Sequence, residues 1–143
     1  MCGATCGVPG AHSRKHALST LHPARHLAPG TRNGILLLTL LGTGTSFGIP
    51  QIGCECGVCR SNDPKDRRTR TAALIQSGPT RLLIDTPPEV RLQLVREGAR
   101  RLDAVLYTHE HADHVTGIDD LRIFSLRQKM ALPLYGPDPA LEF

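Results

Sequence analysis

The sequence predicts an α/β fold, and three observations carry that prediction. Five apolar runs of strand length, at residues 35–41, 71–76, 81–85, 102–107 and 132–135, are each bounded by glycine, proline or polar turns. Helix-like stretches separate the last three. The run at 102–107 passes directly into a histidine cluster rather than a plain turn, as expected of a strand that delivers a site. With 143 residues and 40% apolar content, the chain has room for one core; aromatics at 3% leave that core to Leu, Ile, Val and Ala.

Taken in order, residues 35–41 read as a buried strand because only Thr39 interrupts the apolar side chains. The strand feeds Leu41-Gly42-Thr43-Gly44-Thr45-Ser46, a glycine-rich turn. No G-K-[ST] follows it, so a turn that lets backbone pass close by is favoured over a nucleotide phosphate loop. Residues 62–70 are polar and basic; Arg67, Arg68 and Arg70 read as solvated surface rather than a phosphate grip. Residues 71–76 and 81–85, joined by Ser77-Gly78-Pro79-Thr80, form a hairpin. Thr86-Pro87-Pro88-Glu89 has the capping-box pattern, and Val90, Leu94 and Val95 give a partial stripe for a helix that Gly98 ends. Residues 102–107 are a strand, 115–129 mostly helix with Asp119 and Asp120 serving its dipole, and 132–135 a last strand stopped by Gly136-Pro137.

Charge narrows the function. The formal net charge is +4, but residues 1–34 hold Arg14, Lys15, Arg25 and Arg32 without an acid, leaving 13 basic against 13 acidic residues elsewhere. A neutral globular part gives nucleic-acid binding little support. No run approaches the roughly 18 apolar residues of a membrane span, so no membrane partner is expected. Five cysteines, three of them in Cys54-Glu55-Cys56-Gly57-Val58-Cys59, fit a reducing cytoplasm better than a secreted disulfide framework. Residues 1–33 read as a disordered extension, and an upstream mis-annotated start is favoured over a transit peptide; His12, His16, His22 and His26 are taken as solvated.

The run His109-Glu110-His111-Ala112-Asp113-His114 is the strongest chemical signal. Its spacing lets His109 and His111 converge on one cation while Asp113 and His114 turn toward a second about 3.5–4 Å away, and imidazole with carboxylate suits zinc, manganese or iron. The structural alternative is a polar loop in which Asp113 caps the following helix. Cys54, Cys56 and Cys59 have the clustering of thiolate ligands to a structural zinc, the alternative being burial as small hydrophobes.

The Gly42-Thr43-Gly44 turn, Gly48-Ile49-Pro50, the cysteine triplet, Asp85 at the end of a strand and the histidine motif, in that order along the chain, resemble the metallo-beta-lactamase superfamily. The likeness is to the branch containing the phosphoribosyl cyclic phosphodiesterase that accompanies the carbon-phosphorus lyase. The resemblance implies a four-layer αββα sandwich of which residues 34–143 are the N-terminal portion, truncated at the C-terminus. It implies two divalent metals, zinc or manganese, held by His109, His111, Asp113 and His114. By the same resemblance Asp113 would also serve catalysis, positioning a metal-activated hydroxide for in-line attack on a small, cyclic phosphodiester. It implies one structural zinc on Cys54, Cys56 and Cys59, a ligand-orienting role for Asp85, and it allows a homodimer of the full-length protein. The family's later histidines and bridging aspartate have no counterpart here, so the chain is expected to bind metal weakly and turn over negligibly. A non-catalytic metal-binding fragment is the rival reading; a tRNA 3'-processing nuclease and a pyrroloquinoline quinone biosynthesis protein are the rival enzymes.

Overall fold

The computed structural model describes residues 35–142. The N-terminal extension and its four histidines lie outside the described residues. Strands β1 (Leu36–Gly42), β2 (Ala72–Ser77), β3 (Thr80–Ile84), β4 (Ala104–Leu106) and β5 (Leu134–Tyr135) make one sheet in the order β1-β2-β3-β4-β5. The first three are antiparallel neighbours; β3 with β4 and β4 with β5 are parallel. That switch has a chain-level cause. β2 and β3 are joined by the Gly78-Pro79 turn, with Gly78 at φ +55°, whereas helix α1 (Val90–Arg96) carries the chain back so that β4 starts beside β3's own beginning.

Period-two alternation buries one face. Leu41, Leu74, Leu83 and Val105 point into a core closed by Val90 and Leu94 of α1, Phe124 of α3 (Arg122–Gln128), Leu102, Leu121 and Ala140. The helix expected over 115–129 is interrupted: α2 (Ala112–Val115) begins inside the histidine motif, a 3₁₀ turn follows at Ile118–Leu121, and only then does α3 start. Gly117 accounts for the break. Its N–H donates to Thr86 O at 2.8 Å, and a Cβ there would lie 2.3 Å from Pro87 O, so the chain must bend to pass that close.

Three expectations need correction. The strand at 35–41 forms but is not buried: it is a sheet edge, and Leu36, Leu38 and Leu40 are 69%, 56% and 60% exposed on the face away from the helices. Register carries that face inward through Leu38↔Ile75 and Ile75↔Leu82, so it is continuously apolar. The capping box does not form either. Glu89 occupies the N-cap position without a side-chain cap, because its carboxylate is paired with Arg70, while the Thr86 hydroxyl donates to Val115 O at 3.1 Å. Arg70 is therefore not a solvated residue: half-buried, it also donates from Nε to Ser46 O at 2.7 Å, pinning the glycine-rich turn to α1.

An open apolar face of this kind binds apolar dyes. The chain is expected to enhance anilinonaphthalene sulfonate fluorescence several-fold at native circular dichroism, and Leu38→Ser with Leu40→Ser is expected to remove most of that. Unchanged enhancement in the double variant would place the dye elsewhere.

Candidate metal centres

Parallel pairing of β3 and β4 brings their C-terminal ends to one edge of the sheet. Ile84 is in register with Leu106, and Asp85 N donates to Leu106 O at 2.9 Å, so Asp85 leaves one strand beside the point where Tyr107-Thr108-His109 leaves the other. Strand C-termini are where sheets of this class place ligands.

Asp85 is 2% exposed and takes φ +60°, a left-handed conformation that aspartate tolerates better than most residues. Its Oδ1 accepts Thr108 N at 2.8 Å, and its Oδ2 accepts the Thr108 hydroxyl at 2.8 Å and lies 2.7 Å from His114 Nδ1. Thr86 fixes the rest of the turn: its N–H donates to His114 O at 2.7 Å, and its hydroxyl lies 3.1 Å from that of Tyr107. Burial pushes the Tyr107 phenol up; the Thr86 hydroxyl opposes that, and the Asp85 charge adds to it.

The motif's donors fall into two pairs. His109 Nε2 lies 3.1 Å from His111 Nδ1, and His114 Nε2 lies 3.4 Å from Asp113 Oδ2. Ligand atoms at about 2.0–2.2 Å from a tetrahedral zinc stand about 3.3–3.6 Å apart, so both pairs are close to coordination spacing. His109 and His114 bring the pairs together, their ring centroids 4.0 Å apart. A carboxylate has no hydrogen to give, so the His114 nitrogen facing Asp85 is the one that carries the proton, as in carboxylate–histidine–metal triads. With one proton on that nitrogen, the ring offers Nε2 as a lone-pair donor beside the Asp113 oxygen, an arrangement that a cation would satisfy. Asp113 does not cap a helix: the N-cap position of α2 belongs to His111, with no side-chain cap bond.

The cysteine loop is a second, separate donor set. Among the described residues, Cys54, Cys56 and Cys59 are the group of three whose ligand atoms all lie within 4.8 Å of one another. Turn bonds wind the loop around them: Cys54 N donates to Gln51 O at 3.1 Å and Arg60 N to Cys56 O at 3.0 Å. Gln51 N lies 3.4 Å from Cys59 Sγ. The Cys56 thiol is lowered to about 7 by the Cys59 N–H and then by hydrogen bonds from the Cys54 and Cys59 side chains, which favours the thiolate that metals need. Tetrahedral Zn–S bonds of about 2.3 Å place sulfurs about 3.8 Å apart, which small rotations would reach. The cysteines are not buried hydrophobes, since Cys56 is exposed and its neighbours half-exposed.

Residues 80–142 match the family model of the beta-lactamase superfamily domain. A crystal structure of a diphosphatase from the PhnP family superposes with a TM-score of 0.70 at 46% identity, over 75% of this chain and 44% of that one. The described residues share the metallo-beta-lactamase fold. Zinc-bound PqqB from Methylobacterium extorquens has the same fold, with a TM-score of 0.60 at 25% identity over 75% of this chain and 38% of that one. A Porphyromonas gingivalis protein named octanoyltransferase is 52% identical over 94 residues, which is 65% of this chain but 19% of that protein. The chain thus spans less than half the length of each of these three proteins. The described residues supply one sheet with helices packed on one face, and its other face is open and apolar. Among the described residues no helix is long and apolar enough to cross a membrane.

Sequence reasoning identified both donor sets but missed Thr108. The signal was a hydroxyl residue between the strand end and the first histidine, and it acquires meaning only when register sets Asp85 opposite.

Proposed function

We propose that this chain is the metal-binding portion of a metal-dependent hydrolase acting on a small phosphodiester, a cyclic one by its sequence resemblance. The observation that carries this reading is the pair of donor sets at coordination spacing, His109 with His111 and Asp113 with His114, at a strand edge open to solvent. The 46% identity to a PhnP-family diphosphatase supports phosphorus chemistry. Divalent cations held there, zinc or manganese, would stabilise negative charge developing on phosphoryl oxygens. The protein's own part is to bind and orient. Asp85 fixes the ring of His114, Asp113 presents a carboxylate oxygen beside that ring, and the exposed His111 leaves the approach to the site open. The cysteine loop takes a structural zinc through three thiolates.

Among the described residues each cation would have two protein donors, one short of the three that a catalytic zinc takes from the protein. This favours the second reading, in which residues 35–142 alone hold metal without catalysing. Purified chain titrated with zinc or manganese is expected to bind weakly at the motif and to show negligible hydrolysis of bis(p-nitrophenyl) phosphate. The same assay on a longer protein containing this segment is expected to show metal-dependent turnover. Robust turnover by the chain alone would sink the incomplete-site reading, and none by the longer protein would sink the phosphodiesterase reading.

A further inference from the structure

We propose that Thr108 is a positioning residue that ties the His109/His111 pair to the same carboxylate that holds His114, so that Asp85 governs both donor pairs. The inference rests on the reading of those four side chains as metal ligands.

Asp85 is buried and accepts only. The Thr108 hydroxyl lies 2.8 Å from Asp85 Oδ2 and has one hydrogen, which that contact takes. The same oxygen lies 2.9 Å from His109 Nδ1. With its hydrogen committed, the hydroxyl can only accept there, so a singly protonated His109 carries its proton on Nδ1 and leaves Nε2 as a lone-pair donor. Nε2 is the atom that faces His111 Nδ1 at 3.1 Å. One carboxylate therefore sets two rings in the same tautomer, His114 directly and His109 through one hydroxyl. The Thr108 N–H to Asp85 Oδ1, 2.8 Å, fixes the relay at the backbone and survives a side-chain change at Thr108. The coupling is asymmetric: removing the hydroxyl should disturb one pair, and altering the carboxylate should disturb both.

The test uses the chain with Thr108→Val, Thr108→Ser and Asp85→Asn. Long-range proton–nitrogen correlation of the metal-free chain reads each histidine's tautomer without any metal. Wild type and Thr108→Ser are expected to hold His109 as the Nδ1–H form; Thr108→Val is expected to lose that preference while His114 keeps its own. Titration with zinc alone, followed at each ring's nitrogen shifts, is expected to show affinity at His109/His111 falling about 10–100-fold in Thr108→Val and remaining in Thr108→Ser. The Asp113/His114 pair should be unchanged in Thr108→Val, and Asp85→Asn should weaken both pairs. If Thr108→Val does not fold, Thr108→Ala takes its place. An unchanged His109 tautomer, or equal loss at both pairs, overturns the proposal. Tautomers as assigned in a wild-type chain that binds no zinc would uphold the relay and overturn the ligand reading beneath it.

Discussion

Replacing Asp85 with alanine is expected to cost the chain most of its stability and all measurable metal binding at the histidine motif. Three hydrogen bonds end on this buried carboxylate, from Thr108 N, the Thr108 hydroxyl and His114 Nδ1. Hydrogen bonds to charged groups contribute about 1.5–3 kcal/mol each, and donors left unpaired in a buried site add to the loss. Alanine must also hold φ +60°, a conformation costing about 1–3 kcal/mol without glycine or an Asx side chain. The sum, about 4 kcal/mol or more after allowing for relaxation, is comparable to the whole stability of many small domains. Urea unfolding followed by far-ultraviolet circular dichroism checks it. Asp85→Asn separates the two contributions: asparagine tolerates the left-handed backbone and should recover much of the stability. Its amide can turn a donor toward His114 Nδ1, so metal affinity should not recover with it. An Asp85→Ala midpoint close to wild type would mean that the network orients nothing that folding depends on.

What could be read from the sequence follows how locally each feature is encoded. The β2–β3 hairpin was legible because Gly78-Pro79 and the flanking runs specify it within a dozen residues. The pairing of His109 with His111 and of Asp113 with His114 was legible because strand-then-helix spacing places them. Three things were not, each for want of a distant partner. The apolar run at 35–41 looks buried to any periodicity argument, and only its place at a sheet edge, with nothing among residues 35–142 over its outer face, exposes Leu36, Leu38 and Leu40. The capping box at Thr86 and Glu89 is a sound local pattern overridden by tertiary partners, Val115 O for one and Arg70 for the other. Thr108 is silent until parallel pairing sets Asp85 beside it.

The glycine-rich turn supplies the other large effect, and its cause is steric. Gly42→Ala is expected to destabilise the chain by more than about 3 kcal/mol and to lower its yield of folded protein. A Cβ at Gly42 would lie 2.0 Å from Arg70 O and 2.8 Å from Thr69 O, both backbone atoms, and 2.6 Å from Gln93 Nε2. Ordinary contact begins near 3.4 Å, so β1 and the segment entering β2 must part by more than an ångström. Overpacking that can move only backbone sits at the costly end of such substitutions. Separation also breaks a second tie. Gln93 Nε2 donates to Arg70 O and to Thr69 Oγ1, each at 2.9 Å, and Gln93 is 1% exposed, so its amide would be left buried without those acceptors. Gly44→Ala meets Arg68 O at 2.4 Å and is expected to behave alike. Gly57→Ala is the control, because nothing lies within 4 Å of its added carbon and its backbone is not left-handed; it should fall within about 0.5 kcal/mol of wild type. Equal midpoints for Gly42→Ala and Gly57→Ala in urea would contradict the close approach. The predicted contrast gives the turn its role: glycine is there for the backbone that crosses it, which lets Arg70 reach Ser46 and Glu89 and holds α1 on the sheet that carries Asp85 to the histidines.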